Sequence, residues 1–242
     1  MKKNSNIYIA ISFFILIIFV FLNFNLVNAK ENINKIEIKG TTVEEKNEYF
    51  EMNLNIPIIN GIKNKDKEKN LNEEFKSKSL DFANGVKTMA EEDFKESKKQ
   101  GYEVKIYEAV VNFNVQYIGE DYISLLVDSY SYTGGAHGIT LRQSYNIDKN
   151  TGDIITLKNI FKDGYDYKKI IDEMITKEIN KDKDNYFPED FKGIKDNQEF
   201  FINNEGLVIY FQLYEIAPYV TGFPEFKVSF KDIKDEMKLN IK

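Results

Sequence analysis

The apolar residues of this chain change their spacing along its length, and the order of those changes narrows the possible folds more than any other feature. From Tyr49 to Ile58 they alternate. Phe50, Met52, Leu54, Ile56 and Ile58 fall on one face and Glu51, Asn53 and Asn55 on the other, which predicts a half-buried strand. Pro57 has no N–H to give, so it predicts an edge position or a strand terminus. After Asn60-Gly61 the spacing lengthens to four, seven, four and three residues through Leu71, Phe75, Phe82, Val86 and Met89. That pattern predicts an amphipathic helix from about Lys65 to Lys99, bent at Asn84-Gly85 and ended by Gly101.

Period two then returns, with Ala109, Val111, Phe113, Val115 and Tyr117 opposite Asn112, Asn114 and Gln116. Gly119-Glu-Asp121 turns the chain into Tyr122 to Tyr132. A glycine loop turns it again into Ile139, Leu141, Gln143, Tyr145 and Ile147. Three consecutive strands with short connections predict an antiparallel meander. A turn at Asp148 to Asp153 leads to a brief strand, Ile154 to Leu157, and then to a second amphipathic helix from about Tyr165 to Lys181. Asp182 to Asn197 is polar and holds Pro188, a loop. Phe200 to Ile202 and Leu207 to Leu213 flank Asn203-Asn-Glu-Gly206 as a hairpin, and Phe226 to Phe230 is a last strand before a short polar tail. The class is α+β: an antiparallel sheet, a meander plus a hairpin, with two amphipathic helices packed on it. No Pro-, Gly- or Ser-rich linker and no fixed-period repeat divides the chain. A soft boundary near Gly101 separates a strand-helix unit, 30–101, from the remainder, 102–242, and the two are short enough to share a sheet.

Met1 to Ala29 has the build of an export signal. Lys2 and Lys3 precede a 16-residue apolar run, Ile7 to Leu22, and Val27-Asn28-Ala29 offers small residues for cleavage. The run is longer than most signal cores and shorter than the roughly 20 residues that span a bilayer, so both a cleaved signal and a retained amino-terminal anchor fit it. In either case the positive end stays on the cytoplasmic side and the rest faces outward, secreted or attached to the outer face of the membrane.

Cysteine is absent, which excludes disulfides, thiolate catalysis and the lipid-bearing cysteine of a bacterial lipoprotein. Without Lys2 and Lys3 the chain has 31 basic against 39 acidic side chains, a formal charge of −8. An acidic exported protein argues against nucleic acid and anionic membrane as partners, leaving only an uncleaved amino terminus as a membrane contact. It favours a cationic partner. One histidine and no cysteine exclude the usual zinc sets. Asp148-Lys-Asn-Thr-Gly-Asp153 resembles a calcium loop, but glycine stands at its fifth position and no glutamate closes the twelfth. No metal or cofactor is expected.

Two loops carry the candidate chemistry. The stretch Tyr130 to Tyr145 holds the chain's sole histidine, His137, and its sole arginine, Arg142, with Gly134, Gly135 and Gly138 around the histidine. One reading is structural: glycines give the turn positive φ, Gly138 admits a close neighbour, and His137 bonds locally. Another is a binding edge. Catalysis by a Ser-His-Asp set would draw on Ser131 and Asp128, yet no G-x-S-x-G pattern is present. In Tyr214 to Phe223 the rings of Tyr214, Tyr219 and Phe223 are punctuated by Pro218 and Gly222, with Pro224 following, which stiffens the loop and lowers the ordering cost of binding. Such rings cover a sheet's end, stack on sugars or anchor protein partners. Glu215 is a candidate acid there, although a glycosidase needs a second carboxylate at a set separation. If the two loops meet at one rim, Tyr132, His137, Tyr214, Glu215 and Tyr219 form a single ligand-binding patch.

Four segments also carry a family resemblance. "SYTGGAHG" at Ser131 to Gly138, "NIDKNTGDIITLKNIFKDG" at Asn146 to Gly164, and "EGLVIYFQLYEIAPYVTGFPEF" at Glu205 to Phe226 resemble the domain of unknown function in the carboxy-terminal half of RsiV-type anti-sigma factors. "IPIINGIKN" at Ile56 to Asn64, with the long helix after it, resembles the non-catalytic amino-terminal region of PdaC-type peptidoglycan deacetylases. The resemblance implies an extracytoplasmic α+β pair, and for RsiV-type proteins one that binds lysozyme. Only Met1 to Asn6 precede the apolar run, and His137 has no histidine partner, so neither the sigma-binding nor the deacetylase activity is expected to carry over. The function expected is therefore a non-catalytic, exported binding module at the bacterial envelope, with lysozyme, another cationic protein or a cell-wall glycan as ligand. The alternatives are a carboxylate-dependent wall hydrolase using Glu215 or Asp128 near His137, and a structural envelope domain without a small ligand.

Overall fold

The computed structural model describes residues 35–241; the export-signal or anchor reading of 1–29 lies outside the described residues. Two sheets are formed. The first contains β1 (Glu37–Lys46), β2 (Phe50–Asn60), β3 (Tyr107–Ile118), β4 (Tyr122–Tyr132) and β5 (Ile139–Asp148), in that spatial order, with the helix α1 (Lys65–Gln100) between β2 and β3 in sequence. The second contains β6 (Phe200–Ile202), β7 (Gly206–Tyr210) and β8 (Glu225–Ser229). Short helices α2 (Leu157–Ile160) and α4 (Phe230–Ile233) and the longer α3 (Tyr167–Lys181) complete the fold. Among the described residues no helix is long and apolar enough to cross a membrane.

The expected meander is present as β3, β4 and β5, and the expected hairpin as β6 and β7, but the single antiparallel sheet is corrected in two ways. The hairpin belongs to a separate sheet. In addition, β2 pairs with β3 in parallel, from Phe50 opposite Tyr107 to Leu54 opposite Val111. The physical reason is α1: a 36-residue helix carries the chain back along the sheet to the end where β2 began, so the next strand runs in the same direction. β1 was not foreseen because both of its faces are largely exposed and EIKGTTVEEK shows no apolar alternation. Pro57 sits inside β2, opposite Gly40 of β1 and beyond the last β3 partner, so its missing N–H breaks no bond to β3.

α1 starts where the Asn64 side chain accepts the Lys67 N–H and ends at Gly101 with φ 73°. It buries Leu71, Phe75, Ala83, Val86 and Ala90 against β2 and β3. Gly85 faces open space, and the helix continues unbroken through the expected bend. The predicted strand at Ile154 reduces to one bridge with Ile147, followed by α2, whose cap Thr156 is bonded to Asn159. The predicted polar tail instead forms α4 and returns through a Phe161–Met237 bridge to bury Ile241.

Alternation along two strands shows how the layers stack. In β4, Leu125 faces the core beneath α1, whereas Leu126 packs with Phe201, Val208 and Tyr210 of the second sheet. In β7, Val208 and Tyr210 face that interface while Leu207 and Ile209 join Ile171, Ile175 and Ile179 of α3. The order is therefore helix, sheet, sheet, helix. Buried Ser124 and Asn146 bond each other at 2.7 Å. They also serve the β6 backbone, Ser124 accepting from Ile202 N–H at 3.0 Å and Asn146 donating to the Phe200 carbonyl at 2.7 Å. The second sheet is thus fixed directly behind β4 and β5, and its β7–β8 loop lies at the same rim as the β4–β5 loop.

Candidate functional site: an aromatic edge between two loops

The β4–β5 loop owes its course to two glycines. Gly134 has φ 82°, and its carbonyl accepts from Lys105 Nζ at 2.9 Å. At Gly138 a Cβ would collide with the Tyr130 ring and the Ser131 carbonyl, so only glycine lets the returning strand lie this close. His137, between them, is oriented by a 2.9 Å contact from Nδ1 to the Gly138 carbonyl. A carbonyl only accepts, so Nδ1 carries the hydrogen and Nε2 of the neutral ring is left as an acceptor.

The β7–β8 loop supplies the partners. Tyr219 stacks on the His137 ring with centroids 4.1 Å apart at 21°, and its hydroxyl donates to the same Gly138 carbonyl at 3.2 Å. The Tyr214 hydroxyl lies 3.3 Å from His137 Nε2, and its ring centroid is 5.6 Å from that of Tyr219. Three rings from two loops thus form one edge. Tyr214 is half exposed and Val220, next to Tyr219 in sequence, is 88% exposed, so the edge faces solvent. Tyr214 also has φ 66°, the one positive φ outside glycine among the described residues, a conformation that costs a side-chain-bearing residue about 1 kcal/mol or more.

A polar network beneath the edge fixes it to β5. Arg142 donates to both Asp128 oxygens at 2.8 and 2.9 Å and to Glu225 at 3.0 Å, while its guanidinium lies 4.0 Å from the Phe223 ring centroid. Gln212 pairs with the backbone of the same residue, accepting from Arg142 N–H at 3.1 Å and donating to its carbonyl at 2.7 Å, as a neighbouring strand would. Glu199 accepts from Tyr210 and from Gln212. Burial raises the Glu199 carboxyl above its ordinary range, against the lowering effect of those two bonds, and burial likewise raises the Tyr210 hydroxyl.

Of the five residues expected to form the patch, the structure brings together His137, Tyr214 and Tyr219. Glu215 is placed elsewhere: one oxygen accepts the Gln212 N–H at 2.9 Å and the other pairs with Lys195 at 2.6 Å, closing the base of the loop. Tyr132 lies on β4 opposite Glu108 and makes no ring pair with the other three. The carboxylates considered for hydrolysis, Asp128 and Glu215, are both held in ion pairs. Ser131 and Asp128, three apart on a regular strand, project from opposite faces and cannot converge on one histidine. The sequence reading missed the supporting roles of Arg142, Gln212 and Glu199. The available signal was Arg142 itself, a lone arginine in a lysine-rich chain at a site needing two parallel bonds and a stacking plane.

Comparison with known proteins divides the chain at this edge. Residues 43–140 match the family described as Deacetylase PdaC, and residues 158–231 match Protein of unknown function (DUF3298). Peptidoglycan-N-acetylmuramic acid deacetylase PdaC of Bacillus subtilis (strain 168) is 25% identical over 176 residues, which are 68% of this chain and 37% of that protein. Anti-sigma-V factor RsiV of the same organism is 27% identical over 219 residues, 83% of this chain and 73% of that protein. A crystal structure of a DUF3298 family member from Bacteroides fragilis NCTC 9343 superposes with a TM-score of 0.69 at 19% identity, covering 86% of this chain and 96% of that one. Another from Pseudomonas aeruginosa PAO1 gives 0.54 at 15%, covering 85% and 95%. The chain shares the fold of those two crystal structures, and the PdaC and DUF3298 matches fall on successive parts of it. His137 and Gly138 belong to the first region, and Tyr214 and Tyr219 to the second.

Proposed function

We propose that this pairing of a PdaC-type with a DUF3298 region is an exported, non-catalytic binding module of the bacterial cell envelope, and that it recognises its ligand with the His137–Tyr214–Tyr219 edge. The observation that carries the reading is the edge itself: two loops, one from each matched region, meet in a stacked and hydrogen-bonded array on a fixed support. Rings with polar tips, already ordered before binding, suit recognition because little side-chain entropy remains to be lost. The backbone strain at Tyr214 fits the same role.

Lysozyme is the partner that fits best. It is cationic, the full chain carries a formal −6, and one of the similar proteins is an anti-sigma factor of RsiV type. A wall glycan stacking on the same rings is the second ligand to test. Titrating the protein with lysozyme near neutral pH should give binding that weakens as salt rises from about 0.01 to 0.15 M, over which the screening length shortens from roughly 30 to 8 Å. No binding at low salt would remove lysozyme as the ligand.

A further inference from the structure

α1 packs on β2 and β3 and stands off the edge strand β1. Between β1 and the first half of α1 this leaves a groove of about 540 Å3, within the size range of small-ligand sites. Its floor is apolar, formed by Val43, Ile56 and Ile58. Its walls are held without any occupant. Asn72 on α1 accepts the Ile59 N–H at 2.8 Å and donates to the Ile59 carbonyl at 2.9 Å. Glu68 accepts the Gly61 and Ile62 N–H groups at 2.7 Å each. Beyond Val43, a 2.6 Å ion pair between Lys87 and Glu45 ties helix to strand.

The rim has a charge of its own. Lys65, Lys69 and Lys76 line it, in a chain whose formal charge is −6. The two carboxylates on the same stretch are already engaged, Glu68 by two backbone N–H groups and Lys65, and Glu73 by Lys69 at 3.7 Å. Lys76 makes no ion pair among the described residues, so the groove pairs an apolar floor with an uncompensated cation.

From this complementarity we infer that the groove binds a single-chain anionic amphiphile of the fatty-acid class. Its alkyl chain lies along Val43, Ile56 and Ile58, and its carboxylate meets Lys76. This site lies at the opposite edge of the first sheet from His137, and it stands or falls independently of the aromatic edge.

The test photolyses the full chain with dodecanoic acid carrying a terminal diazirine and maps adducts by mass spectrometry, so that any uptake by the amino-terminal apolar run is told apart by position. Adducts are expected on the peptides carrying Val43 and Ile56 to Ile58. Dodecanoate should compete at least tenfold better than dodecyltrimethylammonium. Decanoate, two methylenes shorter, should compete about tenfold more weakly than dodecanoate. Lys76→Glu, on the exposed helix face, should weaken competition by dodecanoate about tenfold. Thr41→Trp, an exposed position beside the floor, should abolish groove adducts with the circular dichroism spectrum unchanged. Adducts confined to other segments, equal competition by the cationic amphiphile, or undiminished labelling of Thr41→Trp would overturn the inference. So would labelling that disappears as protein concentration rises, which would assign the groove to a second copy of the chain.

Discussion

At the scale of the residue, Tyr214 is where stability and the proposed recognition can be separated. Its φ of 66° favours glycine, whereas its ring and hydroxyl serve the edge. In Tyr214→Gly the relief of strain and the added freedom of the unfolded chain oppose each other. Stability should stay within about 1 kcal/mol by denaturant titration while ligand affinity falls. Glu199 gives a second prediction. Burial raises its carboxyl above the ordinary 4.5, so between the ordinary and the raised value the native state holds a proton that the unfolded chain releases. Its contribution is therefore most favourable below that ordinary value and declines as pH rises through the raised one. Glu199→Gln keeps an acceptor for Tyr210 and Gln212 without the charge, so it should flatten that decline and leave the protein at least as stable at neutral pH; melting temperatures measured from pH 4 to 8 check this. The candidate rings were legible in the sequence because glycine and proline spacing exposed both loops. The bonds of Glu215 to Lys195 and the Gln212 N–H were not legible, because an acid in a loop reads the same whether it faces a ligand or the base of its own loop.

At the scale of the element, the meander, both long helices and the β6–β7 hairpin could be read from periodicity, since each buries one regular face. β1 could not, because an edge strand exposed on both faces has no apolar period to show. The parallel β2–β3 pair and the division into two sheets were hidden for another reason: strand order is set by long-range packing, and the alternation within each strand is the same for either neighbour. The contact between sheets at the rim rests on Arg142. Its side chain is 16% exposed, and Asp128, Glu225 and Phe223 converge on it from two strands and the loop between β7 and β8. Lysine there would lose the two parallel bonds and the stacked plane and leave Asp128 poorly compensated. Arg142→Lys should lower stability by roughly 2 kcal/mol, about 5 °C in a domain of this size, and should weaken the ligand by loosening Phe223 and the loop around it. A substitution that left the melting temperature unchanged would mean that Gln212 alone holds the β7–β8 loop to β5.

At the scale of the whole molecule, the aromatic edge exists only because the two matched regions are joined through β4, β5 and the second sheet. Ser124 and Asn146 fix that junction from one side, and Arg142 with Gln212 from the other. On the proposed function, the net acidic charge acts at longer range on a cationic protein, and the edge supplies stacking and hydrogen bonds at contact. These two contributions separate experimentally: salt acts on the attraction, and loss of a ring acts on the contact. The most direct test is calorimetric titration of lysozyme into the wild-type protein and into Tyr219→Ala at low salt, with both proteins shown to melt alike. The edge predicts that Tyr219→Ala binds at least tenfold more weakly with its melting temperature nearly unchanged, since the ring is partly exposed and the Gly138 carbonyl keeps its bond from His137. Equal affinity for lysozyme in the two proteins would contradict the placement of recognition at the His137–Tyr214–Tyr219 edge.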